Sequence, residues 1–350
     1  MRLSLNFGQD FLARADNTAL AQEAENLGFS VCWAGEAYGV DAVSVLAHIA
    51  AHTSTIDIGS AILQVPARTP AMTGMTAASL DLLSSGRFRL GLGSSGPQVS
   101  EGWHGVPFGR PLARSREYVD IIQRVLRRER VAVQGSHYTL PLPGGPGLAL
   151  KLILHPLRER VPLYLAATGP KALELAGEVA DGWLALFYSA DQADYALRHI
   201  AAGRRAAGRE GEPFDVVATV PVAVHDDAAL AADMVRDYVA LYVGGMGSRE
   251  KNYYNEIAVR AGFEEAARLI QDKYLSGDKA GARRAVPFEL IDQTSLIGDE
   301  ARMASRMRDF ADAGVTTLAL KLMDEAGPLE ARINTLRTAV RAWEKSGVAE

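Results

Sequence analysis

The feature that most constrains this chain is a junction that recurs along it: a helical stretch, one glycine, then a short apolar strand. QEAENLGFSVCWAG, AASLDLLSSGRFRLGLG, ALELAGEVADGWLALF and RMRDFADAGVTTLALKL all follow this plan. Gly28, Gly86, Gly182 and Gly314 stand where a helix ends by turning left-handed, which glycine does without a steric cost. The strands behind them are short and apolar, as parallel strands covered on both faces must be. Adding RLSLNFG, IDIGSAILQV, VPLYLAAT and FDVVATVPVAV gives eight strands, expected near 2–8, 29–35, 56–64, 87–93, 162–167, 182–187, 214–224 and 316–322. Helical patterns at 13–27, 41–53, 70–84, 111–130, 170–180, 191–208, 226–243 and 299–313 separate nearly all of them, and 328–345 closes the chain. Eight such alternations in 350 residues predict a (β/α)8 TIM barrel rather than an open doubly wound sheet.

The stretches that do not fit the repeat read as insertions near 95–110, 131–161 and 244–297, placed after strands four and seven of a single domain spanning 1–350. VAVQGSHYTLPLPGGPG reads as a short hairpin followed by a Pro/Gly loop. The segment 244–297 is mostly helical in pattern. It suits an active-site rim and a helical packing or dimer element equally well.

GLGSSG, with glycines at 91, 93 and 96, matches the G-x-G-x-x-G spacing of a dinucleotide-binding loop. Its context does not. A Rossmann loop opens a helix onto a pyrophosphate. Here Pro97, Gly102, Gly105, Pro107, Gly109 and Pro111 follow, a density of breakers that predicts no helix. The acidic residue expected about twenty positions on, at the end of a second strand, is missing as well.

A net charge of -5 with 23% charged residues gives no general attraction to nucleic acid or to an anionic membrane. No apolar run is long enough to span a bilayer, and MRLSLNFGQD reads as a strand rather than a signal sequence, so the expectation is a cytoplasmic protein. The single Cys32 excludes an intrachain disulfide and sits in an apolar strand as a small buried hydrophobe. His48 and His52 have i, i+4 spacing but neither the glutamate of a zincin motif nor a third ligand, so no metal is expected.

Several of these motifs, in this order, carry a resemblance. They are AGEAYG after strand two, AILQVPARTPAMTGMTAASLDLLSSGRFRLGLG, GSSGPQVSEGWHG, the RPLARSREYV helix and LYLAATGPKALELAGEVADGW. Together they resemble the bacterial-luciferase-like superfamily, in its deazaflavin (coenzyme F420) dependent oxidoreductase branch, over nearly the whole chain. The resemblance implies a TIM barrel holding F420 at the C-terminal ends of its strands, with FMN as the alternative cofactor. It also implies a small organic substrate and a homo-oligomer, commonly a dimer. The function expected is hydride transfer between the deazaflavin and that substrate. An FMN-dependent monooxygenase and a non-catalytic flavin-binding protein are the competing readings.

Glu36 follows strand two, at the catalytic face of a barrel. A carboxylate there hydrogen-bonds the cofactor or exchanges a proton, or it is a rim glutamate paired with an arginine. Relatives often have histidine next, where this chain has Ala37; His104 in GWHG is the nearest substitute by type, with a structural role as the alternative. In AILQV the resemblance implies a bulge at Ala61 and Ile62, held by a non-prolyl cis peptide against the cofactor ring, with Gln64 beside it. Gly93 and Gly96 let the backbone approach the cofactor, and Ser94 and Ser95 offer hydroxyls. The glutamate that sugar-phosphate oxidising relatives carry in this loop is absent. After strand five come Ala167, Thr168 as an N-cap, Gly169, Pro170 in the first turn and Lys171. Free amides there suit the phosphodiester of the cofactor tail; a capped helix without a ligand is the alternative. Tyr38, Trp103 and Phe108 line a pocket or pack on the rim.

Overall fold

Three of the four junction glycines do turn left-handed: Gly28, Gly86 and Gly314 have φ of 77°, 86° and 85°. Gly182 does not. It opens a strand, and a Cβ there would lie 2.4 Å from the Tyr164 ring and 2.7 Å from the Asp215 carbonyl oxygen, so packing is what demands glycine. The computed structural model describes residues 1–8, 16–323 and 327–349. The predicted helix at 13–27 is seen as Asp16–Asn26; its first residues lie outside the described ones.

The eight barrel strands are β1 (Arg2–Asn6), β2 (Val31–Ala34), β3 (Asp57–Ser60), β4 (Phe88–Gly93), β5 (Leu163–Ala166), β6 (Gly182–Leu186), β7 (Asp215–Val224) and β8 (Thr317–Leu322). Each pairs in parallel with the next, and β8 pairs with β1 as well as β7, so the sheet closes on itself. Closure is the TIM-barrel solution, and it leaves the barrel no free strand edge. The predicted strand 56–64 is split in two: Leu63–Gln64 pairs separately with β4, beyond a bulge. A short strand, Leu296–Gly298, escaped the sequence reading and extends the sheet alongside the end of β7.

Inside the barrel, Val31, Trp33, Tyr164, Leu184, Val217 and Ala319 form one apolar cluster, with Ala61 and Ile62 packed over it. Trp33 and Tyr164 meet edge to face at 5.3 Å between centroids, and the indole N–H donates to Ser4 Oγ. These rings fill the barrel and give its upper end a floor. The lower end is closed by charge. Asp215, 8% exposed, pairs with Arg2 and Arg89 and accepts from Tyr164, Thr316 and Thr317. Burial pushes the Tyr164 hydroxyl well above its ordinary range, so it stays a neutral donor there.

A short helix, Pro97–Gly102, corrects the expectation that none forms after GLGSSG. Proline at the first helical position is a starter rather than a breaker, and Gly102 ends the helix after its sixth residue. The hairpin expected within 131–161 is present as Val133–Gln134 against Thr139–Leu140. It lies along the outer flank of helix Pro111–Leu126, where Glu117 accepts backbone N–H groups of Ser136, His137 and Tyr138. The segment 244–297 forms four helices, Tyr253–Arg260, Glu264–Leu275, Lys279–Ala285 and Phe288–Thr294. With helix Ala228–Ala240 they share a second apolar core that includes Phe187, Val235, Val239, Ile270 and Ile291. This layer touches the upper loops of the barrel. Lys251 stands 5.0 Å over the Phe108 ring, and Tyr38 reaches Met246 Sδ at 3.9 Å.

Candidate cofactor site

The predicted bulge is where β3 breaks, and the Ala61–Ile62 peptide is cis. Its backbone is tied on both sides. Ala61 N–H donates to Ala34 O, and Ile62 O accepts from Glu36 N–H at 3.0 Å. Two glycines leave room for it: a Cβ on Gly35 would sit 2.4 Å from Ala61 O, and one on Gly93 would sit 2.9 Å from Ile62 Cδ1. Ala61 and Ile62 are half-buried, so they present a small apolar platform at the open end of the barrel.

Glu36 lies behind that platform. Its carboxylate is held bidentately by Arg68, at 2.6 and 2.7 Å, and also accepts from the N–H groups of Gln64 and Ala42. The two side chains are only 7% and 17% exposed, and Arg68 also pairs with Asp41. Burial works against the Arg68 charge, but the hydrogen bond and charge of Glu36 prevail and hold its pKa above the ordinary value. The Arg68 carbonyl accepts from Tyr118, whose hydroxyl shares a proton-bearing contact with Thr73. Of the two readings of Glu36, the geometry supplies the arginine-paired one, with no carboxylate oxygen left idle.

Gln64 is buried and joins Glu36 to His104. Its backbone N–H serves Glu36, and its Oε1 faces His104 Nε2 at 2.8 Å. His104 therefore stands where Leu63–Gln64 runs beside β4. The contact occupies one imidazole nitrogen and leaves Nδ1 open to a ligand. In the GSSG loop, Ser95 has φ of 58° and Gly96 caps the short helix. Among the described residues neither the Ser94 nor the Ser95 hydroxyl is engaged. Trp103 is 66% exposed and Tyr38 57% exposed, so both are rim residues.

Just before the second half of the predicted site, which begins at Ala167, Ala166 Cβ lies 3.7 Å from the position a Gly93 Cβ would take. Beyond it, Ala167 is buried and Thr168 and Gly169 are half-exposed. The N-cap of helix Pro170–Val179 is Gly169, not Thr168 as expected, and no side chain caps it. A hydroxyl one residue too early cannot reach the first-turn amides. Lys171 is 75% exposed and paired with Glu174. Thr168 instead borders a cleft enclosing about 370 Å³, its solvent-open mouth included. Trp183, Phe187, Tyr188 and Tyr195 wall it, and Arg260 from the inserted helix stands at its edge. Phe187 has a left-handed φ of 54°, a conformation that aromatic residues rarely adopt outside constrained sites.

Sequence reasoning missed Arg68, Ala166 and the wall of this cleft. Arg68 had a signal, the charge in QVPARTP four residues after Gln64. Arg260 had none, because a helix inserted far along the chain shows nothing in sequence of the loop it will cover. His48 and His52 are occupied locally: His48 bonds Thr18, and His52 bonds the His48 carbonyl of its own helix. Cys32 is fully buried, and burial pushes its thiol pKa up.

The model of the luciferase-like monooxygenase family matches residues 8–317. The chain belongs to that family. Among luciferase-like proteins it is 40% identical over 328 residues to a Mycobacterium tuberculosis protein provisionally named a coenzyme F420-dependent oxidoreductase, covering 91% of this chain and 94% of that one. It is 31% identical to the 5,10-methylenetetrahydromethanopterin reductase of Methanolobus tindarius, covering 85% and 87%. Among solved luciferase-like structures, the coenzyme F420-dependent tetrahydromethanopterin reductase of Methanopyrus kandleri superposes with a TM-score of 0.78 at 25% identity, covering 96% of each chain.

Proposed function

We propose that this luciferase-like protein is an F420-dependent oxidoreductase that transfers a hydride between the deazaflavin and a small organic substrate. The observation that carries this reading is the apolar platform of Ala61 and Ile62, framed by two glycines, with an aromatic-walled cleft bordered by Ala167 and Thr168 two strands away. The names of its relatives favour the deazaflavin over FMN. Bound there, the coenzyme would supply the hydride-carrying carbon, and the protein orientation and a shielded surface.

The roles follow from the contacts. Ala61 and Ile62 offer an apolar seat for a flat ring, and Gly93 leaves space beside it. Ser94 and Ser95 have hydroxyls free for its polar edge. The uncapped start of helix Pro170–Val179 presents the amides of Gly169 and Lys171, with a favourable dipole, to the phosphodiester. His104, aimed by Gln64, is the group proposed to exchange a proton with substrate. Glu36 is proposed to position the platform through Gln64 N–H and Arg68. A homodimer is proposed as the working form. No helix among the described residues is long and apolar enough to cross a membrane.

Titration of the deazaflavin and of FMN, followed by fluorescence quenching, tests the cofactor. Tighter binding of the deazaflavin is expected. Equal or reversed affinities would move the protein to the FMN-dependent side of its family. Oxidation of reduced deazaflavin with candidate substrates separates an enzyme from a non-catalytic binder.

A further inference from the structure

Arg260 has no carboxylate partner among the described residues, although its helix sits in a layer rich in ion pairs. Its guanidinium stacks 5.3 Å over the Tyr195 ring and donates to Thr168 O at 3.4 Å. These contacts hold a charged fork at the edge of the cleft while occupying little of its donor capacity. Lys171, at the start of helix Pro170–Val179, is already paired with Glu174 at 2.7 Å.

The cleft lies outside the barrel wall. Leu184 points into the barrel cluster, whereas its neighbour Trp183 faces the outer core and lines the cleft. The cleft is bounded by helices Pro170–Val179 and Ala190–Ala206 and roofed by Tyr253–Arg260. Between the bulge and Thr168 stand the ends of two strands, marked by Gly93, buried beside Ile62, and by the exposed Ala166. The span is two inter-strand steps, about 10 Å, which is the length of a flat tricyclic ring. A ring seated on Ala61 and Ile62 therefore delivers its side chain to this cleft.

We infer that Arg260 binds the anionic tail of the coenzyme there, through its phosphodiester, and that the helical insertion supplies a cofactor-binding residue as well as a rim. The inference rests on the deazaflavin reading above. Arginine suits the task because its planar fork meets a phosphate with two parallel bonds, and stacking on Tyr195 has already ordered it.

The test uses the full chain with two probes: the complete coenzyme, and the ribityl deazaflavin that lacks the phosphodiester. Arg260→Gln is expected to weaken the complete coenzyme about tenfold or more, the loss of a charge-assisted bond. The phosphate-free probe should bind the variant and the natural protein alike. Arg260→Lys should restore part of the affinity, and the salt dependence of complete-coenzyme binding should be shallower in Arg260→Gln. Unchanged affinity for both probes in Arg260→Gln overturns the inference and leaves the deazaflavin reading standing. So does equal weakening of both, which would mean that Arg260 acts through the shape of the rim. A raised substrate KM with unchanged coenzyme affinity also overturns it, assigning the cleft to an anionic substrate. If the natural protein binds neither probe, the deazaflavin reading itself falls.

Discussion

Glu36 and His104 are both polar groups near the proposed ring seat, but they are held differently. A carboxylate gripped at both oxygens has no lone pair free for substrate, while an imidazole bonded at one nitrogen keeps the other. Glu36→Gln is therefore expected to loosen the bulge: deazaflavin affinity falls, and stability drops by about 2–3 kcal/mol, since Asp41 still partners Arg68. His104→Ala should leave affinity nearly unchanged and lower kcat at saturating coenzyme by about a hundredfold or more. Intact affinity with a collapsed kcat in Glu36→Gln would instead make the acid itself the proton-transfer group. A second carboxylate makes a different prediction. Glu25 accepts from the backbone amides of Ser54 and Ile56 and from Thr55. Burial acts to raise its pKa, but these donors prevail and hold it down to about 2, against an ordinary 4.5. A carboxyl more acidic in the folded than in the unfolded chain stabilises the fold above 4.5 and loses that contribution as pH falls towards 2. Urea unfolding should show Glu25→Gln less stable at pH 7 by about 1 kcal/mol, a modest figure because the site is open to solvent on one side. The gap should narrow as pH falls from 4.5 towards 2. Parallel pH profiles for the two proteins would mean that Glu25 contributes no such linkage.

The bulge depends on what its neighbouring strands lack. An added methyl at Gly35 meets the backbone oxygen of Ala61, which cannot swing away, whereas one at Gly93 meets the flexible tip of Ile62. Gly35→Ala should then cost about 1–3 kcal/mol of stability and weaken deazaflavin binding. Gly93→Ala should keep the melting temperature near that of the natural protein while crowding the coenzyme. Thermal melts with quenching titrations compare the two, and equal stabilities would show that the Gly35 contact relaxes. The same elements show how far the sequence could be read. The strands were legible because apolar runs such as FRLGL and VVATVPVAV recur between helical patterns. The split of β3 was visible only through resemblance, since AILQV carries the pattern of an ordinary buried strand. Pro97–Gly102 is hidden among helix breakers, because proline at a helix start favours the helix that proline inside it would break. Glu36 and Gln64 stand out in the sequence as candidates, but the Arg68 pairing that distinguishes a positioned carboxylate from a free acid is a tertiary contact. Arg260 and the cleft wall depend on where helix Tyr253–Arg260 docks, and no local pattern encodes that.

For the molecule as a whole, helix Pro70–Leu83 bears on the proposed homodimer. Its inward side carries Thr73, Gly74, Ala77, Ala78 and Leu80, packed on the barrel and on helix Pro111–Leu126. Its outward stripe is Met72, Met75, Ser79, Leu82 and Leu83, all exposed and none charged. A helix apolar on every side belongs in an interior. Next to it runs the flank segment that is tied on by the Arg158–Asp81 pair. This segment leaves Leu142, Leu148, Leu150 and Ile153 at least 72% exposed. Exposed apolar side chains gathered on one helix and on the segment tied to it mark an interaction surface, and a standard interface needs only about 800 Å² from each partner. Self-association about a two-fold axis would set the stripe of one protomer against the same stripe of its partner and cover it. Sedimentation equilibrium should accordingly give a dimer. Met75→Glu combined with Leu82→Glu should give a monomer with an unchanged circular dichroism spectrum, because neither side chain supports the barrel. The helix starts directly after Arg68, and its Thr73 contacts the Tyr118 hydroxyl that reaches the Arg68 carbonyl. Freeing its outer face should therefore also weaken deazaflavin binding, by a smaller factor than Glu36→Gln. A natural protein that is monomeric at working concentration would remove the dimer. A monomeric double variant with full coenzyme affinity would show that the dimer face and the cofactor platform are independent.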